Sequence, residues 1–122
     1  MSYYTRNHLQ DDWTAHAAAD AQRRVRAAEQ DAGWYFDQAT RRQKAEFDAT
    51  MHALLGVTGP RANRARDAAR TQWQRTTAEA QTLFERTVDS LLATGEVTAE
   101  LDEAWTALAD RDATLPVLAA AS

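Results

Sequence analysis

The chain has no cysteine and no isoleucine, and among its 122 residues there are two prolines, four glycines and one lysine. Without cysteine there is no disulfide framework and no thiol nucleophile, and a chain of this length can bury a core without such staples. Four glycines are too few for a Gly-rich phosphate loop, and the three serines, Ser2, Ser90 and Ser122, lie in no Gly-x-Ser-x-Gly context. No run approaches the roughly 18 to 20 apolar residues of a membrane span. The opening residues 1–10 lack the basic-then-apolar order of a signal peptide. These absences lead us to expect a soluble, cytoplasmic protein that is not an enzyme, with no cofactor and no metal, unless it serves as a supporting subunit for another chain's active site.

What is present is alanine, arginine and a few large aromatics. Alanine is the best helix former but buries little surface. Trp13, Trp34, Trp73, Trp105, Phe36, Phe47 and Phe84 must therefore supply much of the burial. Thirteen of the fourteen basic residues are arginine, Lys44 being the exception. With isoleucine absent, we read that bias as the signature of a GC-rich, bacterial genome.

The apolar pattern is helical throughout. From Leu9 to Leu54, apolar or small residues return at steps of three or four, through Trp13, Ala17, Ala21, Val25, Ala28, Ala32, Phe36, Ala39, Phe47 and Met51, with one missed beat where Gln43 takes the place. No alternating run is present. The spacing predicts an all-α protein: helix one over about 11–55, a turn at 56–60, helix two over about 61–94 and helix three over about 99–111. Residues 1–8 are expected to fray, with Asp11 or Asp12 capping helix one. Gly33, beside Trp34, Tyr35 and Phe36, leaves open whether helix one is continuous or kinked. Gly56 suits a left-handed helix end, Pro60 a first turn, Gly95 a stop and Thr98 a cap. The tail 112–122 carries Pro116 and is expected to be extended.

A long antiparallel hairpin with a short third helix at its base follows. A tight turn would pair position i roughly with position 115 minus i, leaving Leu9, Trp13 and Ala17 projecting past helix two. Helix three, with Leu101, Trp105 and Leu108 on one face, is the expected cover for that overhang. Trp34, Tyr35, Phe36, Trp73, Phe84 and Leu92 span too wide an arc to face one neighbouring helix. We therefore expect a homodimer that completes a coiled-coil-like four-helix bundle, with Trp34, Tyr35, Phe36, Phe84 and Leu92 in the oligomer interface.

Charge is segregated along the chain. Residues 1–40 carry −2, residues 41–75 carry +5 and residues 76–122 carry −7. Folded as a hairpin, this is a dipole with a positive tip, formed by Arg41, Arg42, Lys44, Arg61, Arg64, Arg66, Arg70 and Arg75 near Trp73. Such a tip suits nucleic-acid phosphates or an acidic protein surface, and a solvated helix face is the plain alternative. His8, Asp12, His16 and Asp20 recur every four residues, as do Asp48 and His52, but one strip supplies too few ligands for a metal and reads as surface ion pairing. The tail residues Leu115, Val117 and Leu118 either dock in a partner's groove or fold back on the core.

The hairpin shape resembles small secreted WXG-type proteins. The turn, however, reads Leu54-Leu55-Gly56-Val57-Thr58-Gly59-Pro60 without Trp-x-Gly, and the matching Tyr-x-x-x-Asp is missing. Alanine-rich phasin-like granule coats are similar only in composition, so no family is assigned. The expected function is a non-catalytic structural assembly or adaptor protein acting through protein-protein contacts and self-association. The alternatives are a nucleic-acid accessory factor using the arginine tip and an amphipathic coat on a lipid or polymer surface.

Overall fold

A computed structural model describes the backbone of residues 2–111 and the side chains of residues 12–111. It is all-helical: α1 (Ser2–Ala53), α2 (Pro60–Thr94) and α3 (Ala99–Asp110). α1 passes through Gly33 without a break. It also starts at Ser2 rather than near residue 11, because nothing in the first 32 residues, neither glycine nor proline, obliges the chain to leave the helix. Asp11 and Asp12 thus lie inside α1 and do not cap it.

The turn is built from backbone rules. Leu55 N–H donates to the His52 carbonyl and Val57 N–H to that of Leu54, Gly56 takes a left-handed φ of 76°, and Gly59 at φ 116° precedes Pro60 at the start of α2. Gly95, at φ 77°, ends α2 and donates its N–H to the Leu91 carbonyl. Thr98 caps α3 by accepting from Leu101 N–H at 3.2 Å.

The register of the hairpin departs from the tight-turn expectation. Phe36 meets Phe84 at 6.5 Å between ring centroids, and Phe47 stacks on Trp73 at 5.9 Å. Partner numbers therefore add to about 120 rather than 115. Part of that shift arises because side chains lean toward the N-terminus of their own helix, so meeting residues lie about one position further along each chain. The rest comes from residues 54–59, which carry the chain onward before it reverses. As a result α2 ends level with about residue 26 of α1, and roughly 24 residues of α1, about 36 Å, run on beyond it. Ala28 is the first buried side chain of α1 among the described residues.

α3 starts at the base of the hairpin, but it does not cover the overhang. It turns back up the groove between α1 and α2, where Ala39, Ala80, Trp105 and Leu108 form the core with Tyr35, Phe36, Leu83 and Phe84 packed around them. Trp105 stacks on Tyr35 at 6.1 Å, far from Trp13, which is 76% exposed. The reason is polar. Gln43 donates from Nε2 to the Leu108 carbonyl at 2.7 Å and accepts at Oε1 from the Thr76 hydroxyl at 2.5 Å, joining all three helices. Thr87 Oγ1 accepts from Trp105 Nε1 at 3.0 Å and donates to the Leu83 carbonyl at 2.7 Å. These groups are buried, and a buried polar group left unpaired costs about 1–3 kcal/mol. Sliding α3 down to the overhang would break both sets.

Two substitutions at neighbouring levels of α1 should act in opposite directions. Gln43→Ala strands the Thr76 hydroxyl and the Leu108 carbonyl and should destabilise the fold by about 2–4 kcal/mol. Gly33→Ala should stabilise it by about 1 kcal/mol, because a Cβ there meets nothing within 4 Å. Denaturant unfolding of both variants against wild type checks the pair.

Candidate interaction site

The positive tip is less uniform than its sequence. Arg66 is half-buried and donates to the carbonyls of Leu54, at 2.7 Å, and Val57, and to Asn63 Oδ1 at 3.0 Å. It clamps the turn across its open carbonyls and is a structural residue. Arg42 donates to the Arg111 carbonyl at 2.6 Å and lies 4.0 Å from Glu46, placing a cation at the C-terminal end of α3, where the helix dipole favours it. Arg64 reaches the Pro60 carbonyl at 3.4 Å and Arg70 lies 3.8 Å from Asp67. Arg41, Lys44, Arg61 and Arg75 are exposed. At about 100° per residue, Arg64 and Arg75 share a strip of α2, while Arg70 lies about 120° round from it. The cations of α2 are therefore divided, with Arg61, Arg64 and Arg75 within about 60° of one another and Arg70 apart from them. Trp73, the aromatic nearest to it, is already stacked on Phe47. Leu55, 78% exposed, sits at the apex.

Of the residues assigned to an oligomer interface, three lie within the chain's own packing. Tyr35 stacks on Trp105, and Phe36 and Phe84 meet edge to face beside the core. Part of the wide arc that called for a second copy thus finds its neighbours within the chain, Tyr35 against α3 and Phe36 against α2. Leu92 is half-buried, and Trp34 remains 59% exposed, touching Tyr35 edge-on at 5.1 Å.

Among the described residues, the α1 overhang is exposed along its length. Trp13 at 76% and Val25 at 37% are exposed on it, with Ala17 and Ala21 between them at four-residue steps. Asp20 pairs with Arg23 along the same helix. His16, Asp48 and His52 are exposed, and among the described residues no group of three His, Cys, Asp or Glu side chains is placed to hold a metal ion. Nor, among them, is any helix long and apolar enough to cross a membrane. Leu115, Val117 and Leu118 lie outside the described residues.

No family model, curated protein or solved structure matches this chain.

Sequence reasoning missed the roles of Gln43 and Arg66. The signal for Gln43 was there, in the one polar residue to interrupt an otherwise apolar stripe. Arg66 had none, since nothing in the sequence sets it apart from the arginines around it. The difference is measurable. Arg66→Gln should lower stability by about 1–2 kcal/mol, whereas Arg64→Gln and Arg70→Gln should stay within about 0.5 kcal/mol of wild type. Thermal melts of the three single variants check this ordering.

Proposed function

We propose that this chain is a non-catalytic assembly or adaptor protein, a small three-helix body that presents the overhang of α1 as a docking helix for another protein. The exposed Trp13 is the observation that carries this reading. A large aromatic left in water, on a stretch of α1 that has no packed helix beside it among the described residues, marks a surface that gains by being covered, and tryptophan is over-represented among the residues that dominate protein interfaces. Most helical stability in proteins comes from packing of a helix face, so a partner would stabilise the overhang as well as bind it. The nucleic-acid reading has less to stand on: Arg66 and Trp73 are engaged within the chain, and Arg70 lies about 120° round α2 from the strip that Arg64 and Arg75 share.

Photo-crosslinking tests the proposal. A benzoylphenylalanine in place of Trp13 should give discrete protein adducts in cells of the source organism, and the same probe at the exposed Glu85 on α2 should give none. No adduct at position 13, together with purified protein that binds DNA or RNA with a steep loss at higher salt, or that binds lipid vesicles, would overturn it.

A further inference from the structure

We propose that the partner of the overhang is a second copy of this chain, docked antiparallel about a two-fold axis that passes beside Ala17. This deepens the docking-helix reading and rests on it.

The exposed stripe Trp13, Ala17, Ala21, Val25 is a ridge of four-residue steps, the kind of ridge that packs into the matching groove of another helix. Its order is self-complementary. Reversed about Ala17, Trp13 falls opposite the small Ala21, Ala17 meets its own copy, and the sequence puts Leu9 at the position opposite Val25. Large faces small on either side, and the smallest pair sits where the two helices come closest, which lets the axes approach toward the short end of the usual 8–10 Å range. A two-fold interface requires this self-matching.

Charge selects the same direction. Residues 21–26 hold Arg23, Arg24 and Arg26 without an acid, and the segment 8–13 holds Asp11 and Asp12 with His8 but no Lys or Arg. Antiparallel docking lays each arginine cluster alongside the partner's Asp11 and Asp12, whereas parallel docking would place three arginines beside three. The length fits as well. With the axis at Ala17, the mirror of Ala28, where the body begins, is residue 6, so the pairing of residues 8–26 is complete before either helix reaches the body of the other.

Because the chain has no cysteine, single-cysteine variants report on this geometry directly. Under mild oxidation Ala17→Cys should form a covalent dimer, since it faces its own copy. Val25→Cys should not, because its two copies would stand about 24 Å apart, well beyond disulfide reach. In sedimentation equilibrium, wild type should be a dimer at micromolar concentration. Trp13→Ala should raise the dissociation constant at least about 30-fold, while the melting of dilute protein stays unchanged, because Trp13 lies outside the body's core. Cross-linking by both cysteine variants would mean a parallel pair, and cross-linking by neither, or a wild-type monomer, would remove the second copy altogether. If Ala17→Cys fails but the probe at position 13 still captures a different protein, the self-docking proposal falls and the docking-helix reading stands.

Discussion

The fold turns on one amide. Gln43 stands where the apolar stripe of α1 misses a beat, and its side chain is the only group that reaches α2 and α3 together among the hydrogen bonds of the described residues. An amide offers a donor and an acceptor at fixed separation, so a single orientation serves both the Thr76 hydroxyl and the Leu108 carbonyl. It therefore selects a rotation and a height for α3, which apolar contact alone would leave loosely determined. The Trp105–Thr87 bond sets the same helix at a second level, and Arg42 and Glu79 hold its far end through the carbonyl and the guanidinium of Arg111.

Such fastening matters because the seam between the two long helices is thin. Its buried members are Ala28, Ala32, Ala39, Thr40, Ala62, Ala69, Thr76, Ala80 and Thr87, with Gln43. Small residues let backbones approach, but each removes little apolar area from water. The seven-residue spacing of Ala62, Ala69 and Thr76 is that of a coiled-coil seam, with alanine where such a seam would prefer leucine. α3 supplies what is missing. Leu101, Trp105 and Leu108 are buried and bring large side chains into a groove that α1 and α2 could not fill.

The helices themselves were legible because their signals are local. Periodicity of three and four placed them, and Gly56, Pro60, Gly95 and Thr98 marked ends by backbone chemistry that needs no tertiary context. The start of α1 was misjudged because a polar segment can be helical when nothing stops it. Register and the seat of α3 were not legible. They depend on how residues 54–59 carry the chain before it reverses, and on hydrogen bonds between residues 33 and 65 positions apart, Gln43 to Thr76 and Gln43 to Leu108. The tip read as one patch because charge was counted along the chain, whereas a surface depends on the angle around each helix and on which cations the fold already uses. Arg66 is the clearest case, its charge spent on the carbonyls of the turn.

α1 is one helix with two environments, and its resistance to opening must change along its length. Where it packs on α2 and α3, exposing its amide groups requires parting the core. Beyond Ala28 toward the N-terminus, the described side chains leave each turn held by its own backbone bonds, and such turns open at little cost. Arg23, Arg24 and Arg26 fall just outside that boundary and are exposed, three cleavage sites for a trypsin-like protease at the point where protection ends. A partner on the overhang would shield them, and its departure would leave them open to cutting. The unbroken helix thus couples occupancy of the distal surface to the lifetime of the segment that forms it.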